Sequence, residues 1–232
     1  MLAMLSLMAS GATVQYSGIP SSSSPDAKNI RVLIESVRFD LSADTCTVHE
    51  LTLFKSDWKR AASVVIRVPR ELWVQTARDD ETPFDVNATW DGRLLAQSGP
   101  PGQALMQVRG GAPAPYLGFV QYRVGFEAGG THALRITYQV PIGMTGYENK
   151  QREAAFDLSG GSGWSGPIGT LDLSVGYTQK VVFGLPEVSP KWKWQVGQTG
   201  TFIRKQDYTP GDDDLFKFVY YPGGFHSGIG GD

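Results

Sequence analysis

The chain has 232 residues, 41% hydrophobic and 19% charged, enough to bury a core without disulfide or metal staples. Its formal charge of -2, from 21 basic and 23 acidic residues, excludes a strongly basic nucleic-acid surface; no run of like charge exceeds three residues, as at Asp212-Asp213-Asp214. A single cysteine, Cys46, excludes an internal disulfide, a CxxC redox pair and a cysteine-rich zinc site.

In chain order, Met1 to Ala12 (MLAMLSLMASGA) is a short apolar run ending in small residues, like a secretory signal without its basic start. As a helix it would reach roughly 18 Å, short of the ~30 Å hydrocarbon core. If retained, it would dip into one leaflet or dock on a partner through Met1, Leu2, Leu5 and Met8. With the linker-like SGIPSSSSP (17–25) it forms an N-terminal segment, residues 1–25. From Asn29 the pattern has period two. Val37, Phe39 and Leu41 share a face, as do Cys46 and Val48; Leu51 and Leu53 fall on the opposite parity, which predicts a bulge near His49–Glu50. Ser63 to Val68 reads as a buried strand stopped by Pro69, residues 70–80 as a short helical turn, and Phe84 to Trp90 as a strand leading into the hairpin signal Asp91-Gly92.

Residues 99–115 are the most loop-like interior stretch and mark the expected boundary between two halves. Beyond them Tyr116, Val120, Tyr122, Val124 and Phe126 alternate on one strand. After a glycine turn, His132, Leu134, Ile136, Tyr138 and Val140 alternate on the next. Further strands are predicted at 153–158, 168–177, 180–183, 201–205 and 215–221. The 28 glycines and 14 prolines, scattered without a period, supply the turns. The expected fold is an all-β antiparallel sandwich, read as two sandwiches in tandem (26–110 and 111–221) with a single larger sandwich as the alternative, and a glycine-rich tail at 222–232.

Several phrases together resemble an uncharacterised family of secreted bacterial β-rich proteins, a domain of unknown function. They are IRVLIESVRFDLSADTCTVHELTLFKSDW closed by VVIRVPR, the turn Trp90-Asp91-Gly92-Arg93-Leu94-Leu95, FEAGGTHALRITYQVP (an FxAGxT…IxYxxP pattern), and Gly161 to Gly169 (GxGWxGPIG). The resemblance implies an extracytoplasmic location and a β fold; it implies no catalytic residue.

No motif marks out chemistry. GSGWSG (161–166) matches GxGxxG in form, but Pro167-Ile168-Gly169 and an alternating segment follow where a dinucleotide site needs a helix, so the reading is a turn with Trp164 packed over a sheet end. His49, His132 and His226 lack ligand spacing. Asp207 and Asp212 to Asp214 lack the alternation of a calcium loop, and no carboxylate pair is singled out by its neighbours. No catalytic, cofactor or metal residues are therefore expected. Trp192, Trp194, Tyr221 and Phe225 are the candidate partner-binding aromatics, with one side of a core as the competing reading for the two tryptophans. The expectation is a non-catalytic extracytoplasmic accessory protein, periplasmic or secreted, docked on other proteins of an envelope or membrane complex, with peripheral membrane contact through residues 1–12 and no nucleic-acid partner. The alternative is a carbohydrate- or small-ligand-binding module with Trp164, Trp192 or Trp194 as a stacking platform. A hydrolase assembled only in space ranks last.

Overall fold

The computed structural model describes residues 16–41, 45–71, 87–96, 98, 102–105, 116–141, 143–145, 151–177, 181–183, 192–197, 200–211 and 214–222. Met1, Leu2, Leu5, Met8 and Phe225 lie outside the described residues, as do 72–80, Asp212, Asp213 and His226. The fold is all-β. Its strands are β1 (Tyr16–Gly18), β2 (Ile30–Leu41), β3 (Thr45–Ser56), β4 (Ala62–Glu71), β5 (Asn87–Trp90), β6 (Arg93–Leu94), β7 (Gly102–Leu105), β8 (Tyr116–Phe126), β9 (Thr131–Pro141), β10 (Gly143–Thr145), β11 (Gln151–Asp157), β12 (Ile168–Tyr177), β13 (Val181–Phe183), β14 (Gln195–Val196), β15 (Gly200–Tyr208) and β16 (Leu215–Pro222). Among the described residues, helix is confined to the 3-10 turns Pro25–Asn29 and Ser159–Gly163, and no helix is long and apolar enough to cross a membrane.

An eight-stranded sheet, ordered β14-β15-β12-β2-β3-β9-β5-β6, forms one layer. Opposing it are a three-stranded sheet, β4-β8-β7, and a five-stranded one, β1-β11-β16-β13 with β10 on β11. The ladders are antiparallel except β2/β12 and β1/β11, which run parallel. Inward residues of all three sheets, from Val37 and Phe39 to Val124, Leu173 and Phe218, belong to one buried cluster. This corrects the expected tandem arrangement. Strands from 26–110 (β2, β3, β5, β6) alternate with strands from 111–221 (β9, β12, β14, β15) inside one sheet, so the loop-like residues 99–115 are not a domain boundary. Turn residues mark where the chain leaves a sheet; they do not say which sheet it rejoins.

Two aromatic clusters tie the layers together. Phe39 on β2 packs against Phe156, Phe216 and Phe218 at 5.3–5.5 Å between ring centroids. Phe54 on β3 meets Trp164 at 4.7 Å, Phe126 at 5.8 Å and Trp90 at 6.0 Å. Aromatic pairs in such edge and tilted geometries add about 0.5–1.5 kcal/mol each beyond their burial. The glycine-rich motif is a packing device. Trp164 is buried as expected and donates Nε1–H to the Pro20 carbonyl at 2.7 Å, while a Cβ at Gly160 would lie 2.1 Å from the Ile19 carbonyl oxygen. No helix follows the motif, which removes the phosphate-binding geometry.

The bulge is also elsewhere than expected. The β2/β3 register shifts between Val32 and Ile34, whereas β3 keeps strict alternation: Cys46, Val48, Glu50, Thr52, Phe54 and Ser56 are all buried. Leu51 and Leu53 lie half-buried on the outer face. Ladder continuity overrode local hydrophobicity, and it drew a glutamate into the core. Residues 70–71 extend β4 rather than opening a helical turn.

Candidate ligand-binding face

Period-two alternation sends Arg38, Asp40, His49, Thr137, Ser174 and Phe202 to the outer face of the eight-stranded sheet. The ladders align Arg38, Ser174 and Phe202 in one row across β2, β12 and β15, and Asp40, Gly176 and Gly200 in the next. The second row has glycine at two of its three positions, so the surface sinks there. The result is a depression of about 360 Å³ lined by Arg38, Ser174, Gly176, Gly197, Gly200 and Phe202, among others. Close approach to backbone requires Gly200, whereas Gly176 meets only the movable end of the Asp40 side chain. A Cβ at Gly176 would fall 2.8 Å from the Asp40 carboxylate, and one at Gly200 only 2.5 Å from the Val175 carbonyl oxygen.

Arg38 donates Nε–H to Asp40 at 2.8 Å, which orients the guanidinium at the rim and leaves its Nη groups as donors. Ser174 Oγ reaches only weakly to the Val37 carbonyl, at 3.5 Å. Phe202 keeps 48% of its surface exposed, and an exposed ring beside a glycine floor offers an apolar face for stacking. Cation, hydroxyl and ring converge on a hollow of small-ligand size.

His49 continues this polar row. Its Nε2 lies 3.4 Å from Asp40 Oδ2 and its Nδ1 3.4 Å from Thr137 Oγ1. Both separations are long for a hydrogen bond. The tight Asp–His pair is a different one. His132, on β9 and 7% exposed, has Nδ1 2.7 Å from Asp91 Oδ2, while its Nε2 accepts the Glu127 backbone N–H at 3.1 Å. The proton therefore sits on Nδ1, and the nitrogen a catalytic base would offer is already occupied. Burial alone would raise the Asp91 carboxyl, but the Ala133 N–H, His132 and Arg93 outweigh it and hold it below its usual value. Trp90 stacks on the imidazole at 5.2 Å. This pair bolts the Asp91-Gly92 hairpin onto β9. His49 and His132 occupy opposite faces and distant rungs of the β3/β9 ladder.

The other expected residues lie as follows. Trp192 packs edge-on against Tyr208 at 5.6 Å, and Trp194 stacks on Phe216 at 5.2 Å. Both are partly buried and pack against the core. Trp164 is buried and offers no platform. Tyr221 pairs with Val182 at the β13/β16 ladder. Asp214 is engaged internally: its Oδ2 accepts the Tyr208 hydroxyl and the Gly211 N–H at 2.5 and 2.7 Å. No group of three His, Cys, Asp or Glu poised to hold a metal occurs among the described residues. The exposed aromatic that matters, Phe202, escaped the sequence reading because its Gly200 and Gly176 neighbours are joined only by strand register.

No protein-family model matches the chain, and no curated protein matches it. A solved structure does share its architecture. A candidate nutrient binding protein from Legionella pneumophila is similar at a TM-score of 0.68 and 10% identity, over 89% of this chain and 70% of that one. An M1 zinc metallopeptidase from Deinococcus radiodurans gives a TM-score of 0.41 at 10% identity, over 84% of this chain and 43% of that one, so the chain spans less than half its length. At 10% identity the Legionella likeness is one of fold. The chain is a β-sandwich protein, with a mixed eight-stranded sheet against a divided second layer.

Proposed function

We propose that the chain is a non-catalytic, extracytoplasmic β-sandwich module that binds a small hydroxylated or carboxylate-bearing ligand, such as a saccharide unit, on the outer face of its large sheet. The observation that carries this reading is the row Arg38–Ser174–Phe202 standing over the Gly176/Gly200 floor. The guanidinium and the hydroxyl supply directional bonds, and the Phe202 ring supplies apolar contact. The extracytoplasmic location is supported by the apolar, small-residue-terminated run at 1–12. Calorimetric titration against a panel of saccharides and small carboxylates tests the proposal. At least one ligand should bind, and Arg38→Ala and Phe202→Ala should each weaken it about tenfold or more, the loss of one charge-assisted bond or one stacked ring. A panel without binders, or binding indifferent to both substitutions, refutes it.

A second reading, a subunit docked on an envelope complex, draws support from the two edges of the large sheet. At the edge strands β6 and β14, Leu94 is 76% and Val196 68% exposed, as an edge awaiting a protein neighbour would be. Charged substitutions at both positions would release such a partner and leave ligand titrations unchanged.

A further inference from the structure

Glu35 and Glu50 occupy inward positions of β2 and β3 and are 0% and 3% exposed. The ladder sets Glu35 opposite Thr52 and Glu50 opposite Val37, so the carboxyls are diagonal neighbours on adjoining strands, between the Phe39 and Phe54 clusters. Their flanking inward residues are oily: Leu171 and Leu173 on β12, Leu134 and Ile136 on β9. None of the four carboxyl oxygens, nor Thr52 Oγ1, completes a hydrogen bond of ordinary geometry, although Glu35 is close enough to Glu50 and Thr52 to interact with both.

A lone carboxylate in such surroundings is costly unless a cation or a proton neutralises it. No lysine or arginine whose side chain is described is buried, and among the described residues no positive charge acts on either carboxyl. Among the residues whose side chains are described, the other inward titratable groups are Cys46 on β3, Tyr138 on β9 and Tyr122 on β8, all acids; His132 is tied to Asp91. One hydroxyl and two carboxyls also fall short of the six to eight oxygens a calcium ion takes. Protons remain. Burial pushes both carboxyls well above their usual range, and the charge of Glu35 pushes Glu50 further.

We infer that Glu35 and Glu50 form an internal proton-sharing pair that holds β2 to β3 while protonated and loosens the sandwich when it ionises. Each proton lost passes to solvent water as the core opens, and the two like charges left behind repel across the ladder. Because the folded state keeps protons that the unfolded chain releases, this contribution is complete below the ordinary carboxyl range. It declines as pH climbs through the raised folded values.

The full chain tests this. Between about pH 5 and about pH 9 the folded-to-unfolded ratio in fixed denaturant should fall, by up to about tenfold per pH unit for each retained proton. Glu50→Gln should lessen the slope, and the double variant Glu35→Gln/Glu50→Gln should remove most of it, leaving the smaller share of Asp157 and Cys46. Infrared spectroscopy of the wild-type chain keeps the test open if the variants fail to fold: a protonated carboxyl stretch should be present at neutral pH and vanish on denaturation. Parallel pH profiles for wild type and double variant overturn the inference. So does the absence of that band, or a stoichiometric divalent cation in elemental analysis.

Discussion

Replacing Asp91 by Asn isolates the bolt between the β5/β6 hairpin and β9. Asp91 sits at φ 49°, in the left-handed region, and Asn is as tolerant of that region as Asp, so the backbone cost is near zero. What changes is the count of acceptors. Asp91 Oδ1 accepts the Ala133 N–H at 2.8 Å, and Oδ2 accepts from His132 Nδ1 at 2.7 Å. Asn has a single oxygen for those two donors. His132 cannot escape by moving its proton to Nε2, because that nitrogen must accept the Glu127 N–H. One donor on a nearly buried imidazole or its strand is left unpaired, at about 1–3 kcal/mol. For a chain of this size about 2 kcal/mol lowers Tm by about 4–8 °C. Asp91→Ala should cost about 1–2 kcal/mol more, since it removes both acceptors and leaves a residue without a polar side chain in the left-handed region. Urea titration gives the free energies, and nitrogen-15 NMR of the imidazole identifies the protonated nitrogen. A loss below about 0.5 kcal/mol for Asp91→Asn would refute the argument, since it would leave no room for an orphaned donor. So would a wild-type proton on Nε2.

Two further outcomes follow from close packing. Gly160→Ala should destabilise strongly, by more than about 2 kcal/mol, because its Cβ would meet the Ile19 carbonyl at 2.1 Å, whereas Gly125→Ala, with nothing within 4 Å, should be neutral or mildly stabilising; paired urea midpoints check both. Cys46 is buried, and burial pushes its thiol well up from its usual value, so iodoacetamide at about pH 8 should leave the native chain unmodified and label it fully once denatured, as read by intact mass.

How much of this was legible in the sequence depends on the range of the physics involved. Alternation is local, and where it was clean it held: Tyr122, Val124 and Phe126, and Leu134, Ile136 and Tyr138, are all buried as their parity required. The Asp91-Gly92 hairpin signal was likewise local, and both residues adopt the positive φ a tight hairpin demands, 49° and 80°. Pairing is not local. Nothing in Ile34–Leu41 announces a parallel neighbour at Thr170–Tyr177, and without that pairing the chain reads as two domains. The ligand face fails to show for the same reason: Arg38, Ser174 and Phe202 become neighbours only through two ladders. The glutamate pair was more accessible. Glu35 shares the parity of Val37, Phe39 and Leu41, and Glu50 that of Cys46 and Val48, so both carboxyls were already on the core face. Local hydrophobicity points instead to a bulge that would bring Leu51 and Leu53 inward. A charged residue at core parity is itself a signal, and the half-buried outer face of a sheet can take the leucines.

The two proposed devices are built on the same strand and still come apart experimentally. Successive side chains on β2 point to opposite faces, so Glu35 and Val37 look into the sandwich while Arg38 and Asp40 look out. Coupling between them would have to pass through the backbone of β2, whose ladders to β3 on one side and β12 on the other are continuous past this point. Rigid ladders transmit little of a local change until they open. Arg38→Ala should therefore weaken ligand binding about tenfold or more and leave the pH profile of unfolding superimposable on wild type. Glu50→Gln should flatten that profile and leave affinity within about twofold at neutral pH, the scatter expected of uncoupled sites. If Glu50→Gln instead shifts affinity about tenfold, the sheet transmits strain from core to face. The pair would then act as a proton-driven control of the binding site as well as of stability.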